Sequence, residues 1–367
     1  MPSGGEENFR GRALWFDKCF RKATVNPSPL TPPRASTFEE SEWHALSRFW
    51  HPVAFSAKVT TKPVAAKLLD ENLVVYRTPT GVTVARDLCL HRGARLSLGE
   101  VQGDQLVCGF HGFHYDASGH CTKIPAHPGI TIPSKLCLQV FASQERYGLV
   151  WVCLAGAAAA PLPDWPEIEG GAYEIIPMDP IDWQASAGRH TENFNDVAHL
   201  SWVHTGTFGH RETPEIIRYA VEEKGHRLSM MLPHANQHDR DITGAKPDVV
   251  SPVRYFEDID LPFASRLLVD YFENRHLFYF DVAAPTSVHA CRIFIMMGRN
   301  FGLEDPPQSA IDYNLAVLRE DKPFVESQSP QDLPLDLHNE VHIPADLFSV
   351  RYRQKLREFG LGEQFFR

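Results

Sequence analysis

Apolar and polar positions divide the chain into three regimes. Residues 1–35 are polar and proline-bearing, and NPSPLTPPR at 26–34 reads as an extended connector. TFEE at 37–40 fits a capping box and predicts a short helix through about Phe49. From His51 to about Leu154, short β-type runs (KLLDENLVVYRT, GVTVARDL, QLVCGF, LQVFASQERYGLVWVCL) alternate with TPTG, EVQGD, DASGH and HPG turns. That alternation predicts an all-β domain. AAAAPLPDWPEIEGG at 157–171 then reads as a boundary. Beyond it the pattern predicts a polar-aromatic helix around 188–204 and strands around 226–232 and 263–297. Helical regions follow at about 309–327 and 345–359. The expected class is α+β with an antiparallel sheet. The domains would be an extension at 1–43, an all-β domain at 44–156 and a second domain at 157–367.

Composition narrows the class. The chain has 367 residues, 43% hydrophobic and 22% charged, which suits globular domains rather than disorder. A net charge of -10 disfavours sequence-independent nucleic-acid binding. The start, MPSGGEENFRGR, lacks the apolar core of a secretory signal. GLVWVCLAGAAAA at 148–160 is too short to span a bilayer. The expected setting is therefore a reducing cytoplasm, with no membrane partner. Seven cysteines do not make a disulfide framework in a chain of this length. Eighteen histidines justify a search for metal-ligand spacing.

The search finds two constellations. Cys89-x-His91 and Cys108-x-x-His111 each follow a strand-like run. Two Cys and two His can hold zinc. The C-x-H and C-x-x-H spacing on paired loops favours a Rieske [2Fe-2S] cluster, two thiolates on one iron and two imidazoles on the other. Glycines at 93, 109 and 112 would let backbone amides approach the cluster. The second constellation is HTENFNDVAHLSWVH at 190–204. Asp196 and His199 would share a helical face. His199 and His204, five apart, would not converge on a regular helix, which predicts a helix end or bulge near Ser201. On this segment alone, a plain helix with two unrelated histidines competes. Two His and one carboxylate would complete a non-haem Fe(II) site. In IDYNLAVLREDKPFVES, Asp321 falls on the apolar stripe of Ile311, Leu315, Leu318 and Val325, and Glu320 falls off it. A carboxylate on an apolar face is costly unless paired or metal-bound, so Asp321 is the candidate third ligand.

DLCLHRGARLSLGEVQGDQLVCGFHGFHYDASGHC resembles the cluster signature of the Rieske non-haem iron oxygenases, α-subunit type, with Phe110 and Phe113 where Tyr and Trp are usual. ENFNDVAHLSWVH and REDKPFVESQ resemble the family's iron-ligand segments. Within the family, RFWHPVAFSAKV, VAAKLLDENLVVYR and ERYGLVWV resemble the methylxanthine N-demethylases, with dicamba and vanillate O-demethylases further off. The resemblance implies a helix-grip-like catalytic domain following the Rieske domain, and a homotrimer. It implies Asp196 bridging His199 to His111 of a neighbouring subunit, and Asn193 beside the iron. It further implies O2-dependent N- or O-dealkylation of an aromatic or heteroaromatic small molecule. No G-x-G-x-x-G or plant-type ferredoxin cysteine run is present, so electrons would come from a separate NAD(P)H-dependent reductase, directly or through a ferredoxin. Ring or side-chain hydroxylation, cis-dihydroxylation included, and pure electron transfer are the alternatives.

Overall fold

A computed structural model describes residues 30–238 and 249–362. Most of the expected N-terminal extension, with Cys19, lies outside them. In chain order the first elements are α1 (Glu40–Ser47), β1 (His51–Phe55), β2 (Val64–Leu68), β3 (Glu71–Thr78), β4 (Gly81–Arg86), β5 (Glu100–Gln102) and β6 (Gln105–Val107). Then come β7 (His114–Tyr115), β8 (Cys121–Lys123), β9 (Val140–Arg146), β10 (Leu149–Cys153), α2 (Pro166–Glu169), β11 (Glu174–Pro177), β12 (Ile181–Trp183), α3 (Ala187–Phe194) and α4 (Leu200–Val203). The last are β13 (Val221–Lys224), β14 (Arg227–His238), β15 (Val250–Asp260), β16 (Ala264–Asp270), β17 (His276–Ser287), β18 (Ala290–Arg299), α5 (Pro307–Glu326) and α6 (Leu347–Glu358). The class is α+β, and the named strand pairs are antiparallel.

The chain divides into two compact units. One contains Ala57–Ala66 and Asn72–Phe141, and the other contains Pro32–Ser56, Lys67–Glu71 and the chain from Ala142 on. In the first, β3 and β4 form a hairpin in which Val74 faces Ala85 and Tyr76 faces Thr83. A small sheet, β5-β6-β7-β8, supplies the rest. Val74, Tyr76, Leu96, Leu106, Tyr115 and Leu138 form a core packed directly around Cys89 and Cys108.

In the second unit a long sheet runs β11-β18-β17-β16-β15-β14-β13, with β12 also paired to β18. α3 packs on β16, β17 and β18. The proline-rich stretch at 157–171 is anchored by Trp165, which is fully buried between Tyr147, Trp151 and Phe280 at 5.3, 6.2 and 5.3 Å.

Three local expectations change. The capping box at Thr37 does not form. Helix α1 starts from Glu39, and Thr37 donates both its N–H and its hydroxyl to Asp70, each at 2.7 Å. The single helix expected over 188–204 is two helices, interrupted over 195–199, with the second ending at Val203, two residues past Ser201. There the Asn195 amide is tied to Thr191 O and to Ser265 on the sheet, so tertiary bonding overrides helical phase. The pattern also misses β15, whose apolar run is interrupted by Arg254, Glu257, Asp258 and Asp260.

Glu192 and Arg353 tie α3 to α6 through paired bonds of 2.6 and 2.7 Å, and Arg353 is only 3% exposed. Arg353→Met should lower stability by about 3–5 kcal/mol in urea unfolding, because it strands a buried carboxylate. Adding Glu192→Met should recover most of that loss. Recovery below about 1 kcal/mol would contradict this account of the pair.

Candidate active site

In the first unit the two predicted cluster loops share one hydrogen-bond pattern. Cys89 N–H donates to Ala94 O and Gly93 N–H to Cys89 O; Cys108 N–H donates to Phe113 O and Gly112 N–H to Cys108 O. Gly93 and Gly112 sit at φ +73° and +67°, the left-handed region that favours glycine. A side chain at Gly109 would come within 2.9 Å of Leu98 O, which keeps the loops close.

Cys89 and Cys108 are buried, whereas His91 is half-buried and His111 exposed. The imidazole centroids lie 4.5 Å apart. His91 stacks on Phe113 at 4.6 Å and 7°, and its buried Nδ1 has no hydrogen-bond partner among the described residues. Burial pushes the Cys89 thiol up, which a bound metal would counter by favouring the thiolate. Tyr115 places its hydroxyl 3.3 Å from Cys89 Sγ. Inner thiols, outer imidazoles and an orphaned ring nitrogen fit a two-iron cluster ligated asymmetrically.

In the second unit, Ser186 Oγ caps α3 by accepting from Arg189 N–H at 3.2 Å. Past the break at Asn195, Asp196 accepts from Ala198 N–H and faces His199 Nδ1 at 3.3 Å. α4 then carries the chain to His204, and α5 brings Asp321 back from far along the sequence.

His199, His204 and Asp321 offer ligand atoms within 4.8 Å of one another. The two Nε2 atoms are 3.2 Å apart, and Asp321 Oδ1 is 3.4 and 3.3 Å from them. Yet Asp321 Oδ1 is buried without an aligned hydrogen-bond partner among the described residues. Three inward lone pairs with edges of this length suit an ion at about 2.1 Å from each. Burial opposes charge on His199, but Asp196 and Asp321 on either side outweigh it and hold its pKa at about 10 without metal. Burial lowers His204.

Glu320, outside the predicted ligand set, orients His204. Its Oε2 lies 3.1 Å from His204 Nδ1 and also accepts from Thr207 Oγ1, while Oε1 accepts from Gly206 N–H at 2.8 Å. A Cβ at position 206 would reach within 2.4 Å of Glu320 Oε1, so this approach requires glycine. Helical phase separates Glu320 from Asp321 but cannot show that Glu320 reaches a loop over a hundred residues earlier.

The His199, His204 and Asp321 group opens on a cavity of about 730 Å³, counting its mouth, between α3, α5 and the sheet face of β14–β18. Asn193 lines it, as do Phe194, Phe208, Tyr255 and Tyr313. His234, His238, His276 and His289 are not in its wall. Nor are Arg254, Arg266 and Arg275: the first two pair with Asp270 and Asp258, and the third lies over Tyr271 and Phe301.

Residues 49–141 match the Rieske [2Fe-2S] domain family, and residues 183–360 match the vanillate O-demethylase oxygenase C-terminal domain. Methylxanthine N1-demethylase of Pseudomonas putida is 33% identical over 321 residues, covering 85% of this chain and 89% of the relative. The chain belongs to the Rieske non-haem iron oxygenases. Dicamba O-demethylase oxygenase component of Stenotrophomonas maltophilia is 26% identical, covering 76% of this chain and 86% of its own. The solved structure of NdmA from Pseudomonas putida CBB5 with caffeine superposes with a TM-score of 0.78 at 32% identity, covering 87% of this chain and 92% of that one. A Rieske cluster and a non-haem iron are this family's cofactors, and its oxygenase components work in multicomponent systems that need a reductase.

Glu320→Ala should weaken divalent-metal binding at the mononuclear site by roughly 10–100-fold, because His204 loses the partner that fixes its tautomer. Competition with a chelating dye measures this. An unchanged affinity would show that Glu320 only anchors the 204–207 loop.

Proposed function

We propose that the chain is the terminal oxygenase of a system that oxidatively removes an N- or O-alkyl group from an aromatic or heteroaromatic small molecule. The observation that carries the reading is the convergence of two imidazoles and one carboxylate on the wall of an aromatic-lined cavity. An electron-transfer protein needs no such cavity. N- and O-demethylases among the relatives support the reaction class.

In this reading residues 44–156 carry the cluster on Cys89, His91, Cys108 and His111, and residues 157–367 form the catalytic domain. His199, His204 and Asp321 hold Fe(II). Bound iron supplies O2 activation, and the cluster supplies electrons received from the reductase. Asp196 and Glu320 hold the two imidazoles by Nδ1 and leave each Nε2 facing the metal. The aromatic wall would pack the substrate ring, exclude water and hold the alkyl carbon toward His199, His204 and Asp321. Asn193 stands at the cavity edge as a polar contact for substrate.

Hydroxylation of the carbon next to N or O gives a hemiaminal or hemiacetal, which releases an aldehyde. For a methyl group, the substrate, O2, two electrons and two protons become the dealkylated product, formaldehyde and water. In a cytoplasmic homotrimer, Asp196 would bridge His199 to His111 of a neighbouring subunit and so link the two redox sites.

The test is turnover of a panel of N-methyl and O-methyl aromatics with purified protein, a surrogate reductase and NADH. About one formaldehyde per O2 consumed is expected for the productive substrate, and none in His199→Ala. Ring-hydroxylated or dihydrodiol products without aldehyde would overturn dealkylation in favour of hydroxylation.

A further inference from the structure

The cavity that contains the metal-ligand set also contains a carboxyl with no assigned partner. Glu257 and Tyr255 alternate along β15, so both face the cavity. Glu257 is 2% exposed, and its Oε2 is buried with no hydrogen-bond partner among the described residues. The neighbouring acids on the same strand are partnered. Asp258 bonds Arg266 at 2.6 Å and Ser229 at 2.6 Å, and Asp260 bonds Arg227 at 2.7 Å. Glu257 alone points inward and goes unmatched.

The rest of the wall shows what would match it. Phe194, Phe208, Tyr255, Tyr271, Tyr279 and Tyr313 supply aromatic faces, which stack on flat rings and attract cationic nitrogen. Asp321 is the other acid in the wall, and no Lys or Arg lines it among the described residues. An aromatic carboxylate entering this space would bring a third acid with no Lys or Arg of the described wall to meet it. A ligand N–H would complete the orphaned oxygen.

We propose that Glu257 is the substrate-recognition group of this site, selecting N-alkylated aromatic substrates that present a hydrogen-bond-donating nitrogen and rejecting aromatic carboxylates. The proposal rests on the dealkylase reading for the term substrate, but its recognition chemistry stands on the cavity alone. Burial holds the carboxyl well above the usual carboxylate range. A neutral N–H donates to its carbonyl oxygen, and an ammonium restores the carboxylate by pairing with it. Both are donor nitrogens, and they differ in what they require of position 257.

The test reads binding rather than turnover. Calorimetric titration of the metal-loaded chain would use four one-ring probes: N-methylbenzylamine, N-methylbenzamide, benzyl methyl ether and 2-methoxybenzoate. The amine or the amide should bind at least roughly tenfold more tightly than the ether, and the benzoate should be weakest. Glu257→Gln should reduce the preference for the amine by roughly tenfold or more and spare most of any preference for the amide. Glu257→Leu should erase both preferences. The Gln variant keeps shape and hydrogen-bonding capacity, so it remains informative if the Leu variant fails to fold. Benzoate binding as tightly as the better nitrogen ligand, no ranking among the four, or equal weakening of all four in both variants would overturn the proposal. Preserved binding preference with no aldehyde release would instead defeat the dealkylase reading and leave Glu257's role intact.

Discussion

Asp321 places a carboxylate oxygen on the buried face of a 20-residue helix, beside two imidazole nitrogens and without a hydrogen bond of its own. Leaving such an oxygen bare in an apolar wall is costly. The two imidazoles lie 3.4 and 3.3 Å from it, near enough to attract it but not aligned as full hydrogen bonds. A divalent ion would satisfy all three groups at once, and the surrounding structure holds them ready for it. α3 is capped and buried against the sheet, and the chain breaks where Asn195 is pinned to Ser265. Glu320 fixes His204 from behind, as Asp196 does His199. The catalytic half of the chain thus brings two imidazoles and one carboxylate oxygen to a single point.

The cluster loops solve a related problem by local means. Each loop folds back on its own cysteine through the same pair of backbone bonds, with a positive-φ glycine closing the turn. The core meets the sulfurs on the inside, and the imidazoles remain toward the surface. Ligand geometry there depends on a few consecutive residues. At the mononuclear site it depends on packing between distant elements.

That difference explains what could be read from the sequence. Cys89, His91, Cys108 and His111 stand out because ligands two or three residues apart leave a spacing on the chain. Asp321 can be read from helical phase, since a charged residue on an apolar stripe is anomalous by itself. The break after Phe194 cannot be placed correctly from the chain, because the Asn195–Ser265 bond that causes it joins residues 70 apart. Glu320 hides beside a more conspicuous neighbour and acts on a loop 113 to 116 residues away. Glu257 hides because its strand carries too many charges to show a clean alternation. The charges on the opposite face are neutralised by Arg266 and Arg227, which only pairing across the sheet reveals. The α+β class and the order of the long elements follow from apolar periodicity, which depends on neighbours rather than on distant partners.

The central claim is that this chain holds a mononuclear iron in addition to a cluster. Iron and acid-labile sulfide quantitation on anaerobically reconstituted protein tests it most directly, with His199→Ala and Asp321→Ala as controls. The account predicts about three irons and two sulfides per chain, falling to about two irons with sulfide unchanged in either variant. Two irons in the parent chain, unaltered by both substitutions, would contradict it.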